Sequence, residues 1–155
     1  MLVAVACLLA GSTLGAADMA RATTGPSVNL APTYKVSSKF GRQFIGQYVL
    51  KSIPPVARIQ SAALGIEVND HGFLYGIGQF YGYDASGSQS SWVATLYHFH
   101  QTGKTQMTID LLAPSTASAL LGRLFVAPPR NNVLVGKIEI AGHTYPVSFR
   151  QISKR

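Results

Sequence analysis

Cysteine is almost missing from this chain of 155 residues: the only one, Cys7, sits inside the apolar opening MLVAVACLLAGSTLGAADMARATTG. Removal of that opening leaves no thiol. A disulfide framework, a thiol nucleophile and a cysteine metal site are then excluded from the mature chain. Acidic residues are also scarce, six against 13 basic ones, and charged residues make up only 12% of the chain. Beyond residue 22 the carboxylates are Glu67, Asp70, Asp84, Asp110 and Glu139. Asp70 and Asp84 fall in turns, and no two of the five form a visible acid/base pair. Asn-x-Ser/Thr sequons are absent, so nothing points to glycosylation. No stretch has the length and periodicity of an ordinary helix; the most helix-permissive one, PSTASALLG (114–122), is bounded closely by Pro114 and Gly122.

The apolar run from Leu2 to Ala10 trails into small residues that offer cleavage after Ala17 or Ala22, the pattern of a secretory signal. At about nine residues it is too short to span a bilayer unaided, which takes roughly 20. Residues 1–22 are therefore read as a signal peptide or an N-terminal apolar anchor, 23–41 as an extended leader and 42–155 as a single domain. The expected location is secreted, periplasmic or associated with the cell envelope.

What the chain does have is alternation. Apolar segments recur at about 43–52, 60–68, 73–83, 91–100, 104–112, 119–127, 133–140 and 144–152, separated by Pro-Pro, Asn-Asp-His-Gly, Gln-Thr-Gly and Ala-Gly-His turns. Connections this short make successive strands antiparallel neighbours. The expected fold is all-β, an eight-stranded antiparallel meander closing into a small barrel, with a two-sheet sandwich as the alternative.

Parity sorts the faces. Phe44, Tyr48, Leu64, Ile66, Ile109, Leu111, Leu124, Ile138 and Phe149 share one face, while Lys51, Glu67, Asp110, Arg123, Lys137, Glu139 and Arg150 share the other. Charges on strands seek water, so the aliphatic face is the core. In GFLYGIGQFYGYDASG (72–87) the same rule turns Leu74, Gly76, Gly78, Phe80 and Gly82 inward and Tyr75, Ile77, Gln79, Tyr81 and Tyr83 outward. In SWVATLYHFH (91–100), sending both histidines outward turns Val93, Thr95, Tyr97 and Phe99 inward and places Trp92, Leu96, His98 and His100 beside the tyrosines.

The outcome is an outer belt of Tyr75, Ile77, Gln79, Tyr81, Tyr83, Trp92, Leu96, His98 and His100. A monomer seldom leaves such a patch wet. The belt is expected to be an interface, between copies of the chain or with an envelope polymer or lipid surface. Two other arrangements stand beside it: the leader folding over the belt, and a reversed parity in which the tyrosines line a cavity for a small apolar ligand. Residues 45–50, IGQYVL, resemble the first strand of calycin-type carriers; the likeness covers six residues and assigns neither family nor residue roles.

Other chemistry is thinly represented. The pair His98-x-His100 resembles half of a cupin metal site, but Lys104 and Thr105 stand where a glutamate is needed, so no metal or other cofactor is assigned. Gly103-Lys104-Thr105 lacks the upstream glycine of a phosphate loop, and the serines at 86, 88, 90 and 91 have no nucleophile elbow. The basic residues are scattered, which argues for a solvated surface and against nucleic acid. Function is accordingly expected to be non-catalytic, binding or self-assembly through the outer aromatic face. A cavity carrier is the alternative, and a hydrolase or isomerase with unassigned residues the third reading.

Overall fold

A computed structural model describes residues 39–114 and 119–154; the expected signal, Cys7 and most of the leader lie outside them. Eight antiparallel strands follow one another round a closed barrel: β1 (Gly46–Ser52), β2 (Ile59–Val68), β3 (Leu74–Tyr83), β4 (Gln89–Thr102), β5 (Gln106–Leu112), β6 (Leu120–Val126), β7 (Val133–Ile140) and β8 (His143–Ser153). Pairing of β1 with β8 closes the ring and leaves no free edge. The fold is therefore the barrel that alternation predicted, with strand ends shifted by a few residues, and the sandwich is excluded.

The aliphatic face is inside. Tyr48, Leu64, Ile66, Ile109, Leu111, Leu124, Ile138 and Phe149 are buried in one core. Lys51, Arg123, Lys137 and Arg150 are exposed on the exterior, the reverse of a bilayer-spanning barrel, whose outer band is apolar. An eight-stranded barrel is just wide enough for side chains to fill it or for one small ligand to enter. Inward glycines let the strands of this one draw close. A β-carbon on Gly78 would come within 2.8 Å of the Phe80 ring, and one on Gly76 would run into the Gly65 carbonyl.

A meander sends alternate connections to opposite ends, and the two ends differ. At the end where β1 begins, residues 39–42 do not continue an extended leader; they form a helical turn, α1 (Lys39–Arg42). The turn places Phe40 edge-on to Phe44, with ring centroids 5.3 Å apart. Spacing of four residues on a helical path is what brings the two rings together. Phe44 is fully buried, and Tyr48 Oη donates to its carbonyl at 2.8 Å. Gln151 Nε2 in turn donates to Tyr48 Oη at 3.2 Å and to Ile45 O at 3.2 Å. This end is plugged by packed rings and a short polar network.

Candidate ligand cup and outer face

At the other end, the connections after β1, β3 and β7 converge around an open cup of about 590 Å³. Its floor is Trp92, stacked on Phe80 with centroids 3.9 Å apart and planes 7° from parallel. The two residues face each other across the β3–β4 ladder, and both point inward. Ile59 and Ile140 make the apolar walls, and Val56 and Ala57 of the 3-10 turn Pro55–Ala57 line the cup beside them. Arg58, Tyr83, Asp84, Ser90, His143 and Tyr145 form a polar or half-polar rim.

Gly82 makes room at the rim. It pairs with Ser90, one step above the Phe80–Trp92 pair, and a β-carbon on it would collide with Arg58 O. That carbonyl accepts Tyr83 N–H at 2.9 Å. Asp84 closes the β3–β4 turn on itself: Oδ1 accepts Ser86 N–H at 2.8 Å, Ser86 Oγ–H at 2.6 Å and Ser88 N–H at 3.0 Å. These donors, the Ser86 hydroxyl foremost, hold its carboxyl below the usual aspartate range.

The expected outer belt is only partly assembled. Ile77 (55% exposed), Tyr81 (50%) and Tyr83 stand outward on β3, with Gln79 between them. Tyr75 is also outward, but its hydroxyl donates to Glu67 Oε2 at 3.1 Å. Tyr83 Oη accepts from Gln60 Nε2 at 3.1 Å. Outward tyrosines overturn the reversed-parity arrangement; of the three, only Tyr83 reaches the cup, and it does so from the rim.

Trp92 and Leu96 do not join the belt. Trp92 is 8% exposed and Leu96 fully buried, while Val93 (43%) takes the outer position. The cause is a β-bulge: the register between β4 and β5 slips between Tyr97 and His100, and His98 adopts φ 45. One extra residue at the bulge reverses parity on its N-terminal side. Phe99 and His100 therefore face as expected, inward and outward, whereas residues 92–97 face the opposite way, Tyr97 standing outward opposite Asp110.

His98 itself packs into a small polar group on the barrel's exterior. Its Nδ1 lies 3.2 Å from Asp110 Oδ2, and Arg123 Nε donates to Asp110 Oδ1 at 2.9 Å. His98 Nε2 is buried with no hydrogen-bond partner among the described residues. Among those residues, no group of three or more His, Cys, Asp or Glu side chains is placed to hold a metal ion.

Of the cup residues, Tyr83 and Trp92 were singled out by the sequence, though as members of the outer belt, and the others were assigned to no site. Arg58, Ser90, Ile140, His143 and Tyr145 come from four different segments, and only a closed meander brings the ends of those segments together. The available signal was topological, since every odd-numbered connection of an up-and-down barrel lies at one end. Fold and site together define the class: a small up-and-down barrel, plugged at one end and cupped at the other. No family model, curated protein or solved structure matches the chain.

Proposed function

We propose that this is an exported, non-catalytic binding domain that takes a small, largely apolar ligand into the open cup. The observation that carries the reading is the inequality of the two ends. One is filled by Phe40, Phe44 and the Tyr48–Gln151 network, while the other leaves about 590 Å³ over an aromatic floor. Ligand pockets of small-molecule binders span roughly 300–1,000 Å³ and combine apolar walls with a few polar groups. Export is supported by the apolar opening and its small-residue cleavage positions.

Trp92 is the only tryptophan, so the cup carries its own reporter. Titration with the neutral dye N-phenyl-1-naphthylamine should give saturable energy transfer from Trp92. Dye binding without any change in Trp92 emission would place the apolar site elsewhere and defeat the reading.

Self-assembly through the outer face is the second reading, and a specific observation favours it. Ile77, Tyr81 and Val93 are all exposed on adjacent strands, with Gln79 paired to Val93 between them. Exposed apolar side chains grouped in this way mark contact surfaces. A second copy of the chain is the partner of first choice, and an envelope polymer or lipid surface the next.

A further inference from the structure

We infer that the cup selects amphipathic carboxylates, with the apolar body over Trp92 and the anionic head held at the rim by Arg58. This rests on the cup being a ligand site and adds the chemical class it accepts. Arg58 follows the 3-10 turn in the left-handed conformation, φ 56 and ψ 17, which glycine or asparagine adopts more readily than arginine. The backbone there is fixed on both sides: its N–H donates to Pro55 O at 3.0 Å, and its carbonyl accepts Tyr83 N–H at 2.9 Å over the bare surface of Gly82. The guanidinium is tethered as well, through Nη1 to Asp84 O at 2.8 Å. A strained arginine held in this way at a cavity rim calls for a use of its charge.

That charge has no carboxylate partner among the described residues. Asp110, on the exterior, is engaged by Arg123 and lies beside His98. Asp84, the acidic residue among the described ones that line the cup, points Oδ1 into its own turn, where three donors engage it. With Nη1 committed to a backbone carbonyl, the Nε–H and Nη2–H edge of Arg58 remains to grip a carboxylate in two-pronged fashion. Ile59, Ile140 and Trp92 below it suit an alkyl or ring-bearing body and offer a second charge nothing. The chain's net charge of +7 draws anions in general, and Arg58 gives the attraction a location.

Decanoate, 1-decanol and decyltrimethylammonium share one alkyl chain and differ only in the head. Displacement of N-phenyl-1-naphthylamine near neutral pH and below micellar concentrations compares them. Decanoate should bind about tenfold tighter than the alcohol, the worth of one charge-assisted contact at a half-open site, with the ammonium weakest. Arg58→Gln should bring decanoate and decanol to parity, each displacement being read against that variant's own dye affinity, and Arg58→Lys should keep part of the preference. Equal affinity for all three heads, with the dye still bound at Trp92, overturns the carboxylate class and leaves the cup standing. A decanoate preference that survives Arg58→Gln removes Arg58 from the site. Absence of dye and alkyl binding alike defeats the cup reading itself.

Discussion

Phe80 and Trp92 lie face to face, 3.9 Å between centroids, on neighbouring strands at the level where the barrel changes from filled to open. Below them the interior is packed side chain; above them Gly82 and Ser90 leave space. The stack is both the last layer of the core and the first surface of the cup. Phe80→Ala should therefore cost about 3–5 kcal/mol, the usual range for deleting a buried aromatic ring. It should also shift Trp92 emission to the red as water reaches the indole. Chemical denaturation followed by fluorescence reads both effects, and a loss of less than about 1 kcal/mol would mean that the stack is not part of the core.

The plugged end gives a pH prediction. Burial pushes the Tyr48 phenol well above its ordinary value. The folded state then holds this proton after the unfolded chain has released it. Stability is fully present below about pH 10 and declines above it, by up to about 1.4 kcal/mol per pH unit. Tyr48→Phe should be less stable than the parent at neutral pH by about 1–3 kcal/mol, because Phe44 O and Gln151 Nε2 lose their common partner. The same variant should lack part of the alkaline decline. Parallel alkaline slopes for the two proteins would remove Tyr48 from the account.

Gly82→Ala probes the rim. Its β-carbon would meet Arg58 O, a backbone atom that the Tyr83 N–H also holds, so relief requires moving the turn. A cost of about 1–3 kcal/mol is expected from overpacking of this kind. Gly65→Ala is the control, as nothing lies within 4 Å of a β-carbon there. Thermal melts should separate the pair clearly; equal melting temperatures would show that Arg58 is not seated on Gly82.

On the exterior, Asp110→Ala should cost about 1–3 kcal/mol by stranding His98 Nδ1 beside an Nε2 that has no partner among the described residues. Arg123→Gln should cost less than about 1 kcal/mol, since that side chain is half in water and exposed ion pairs contribute little. A larger loss from Arg123 than from Asp110 would reverse this assignment.

Sizing tests the outer face. If Ile77, Tyr81 and Val93 seat a second copy, the parent chain should elute above monomer size at micromolar concentration and Tyr81→Ser should elute as monomer. Identical monomeric elution of both excludes self-assembly through this face.

Much of the architecture was legible because alternation has a period of two and the turns are short. Parity alone set Leu74, Gly76, Gly78 and Phe80 inward, and the structure agrees. It failed on β4 for a local reason. Counting back from two outward histidines carried the phase across His98, where the bulge inserts a residue that no composition cue marks. The alternation of Trp92, Ala94 and Leu96 was itself a fair inward pattern, and matching it to Phe80 on the neighbouring strand would have located the slip. Arg58 was legible as a basic residue in a turn and no further: its left-handed backbone depends on Tyr83 N–H and bare Gly82, both over twenty positions away in sequence.

The cup is tested most directly by filling it. Ser90 faces inward one step above Trp92, opposite Gly82, so Ser90→Phe should place a ring in the cup without disturbing the core. The parent should bind N-phenyl-1-naphthylamine at one saturable site with energy transfer from Trp92, and Ser90→Phe, folded by circular dichroism, should bind it at least about tenfold more weakly. Equal affinity in the two proteins, or a loss of binding in Tyr81→Ser instead, would contradict the account.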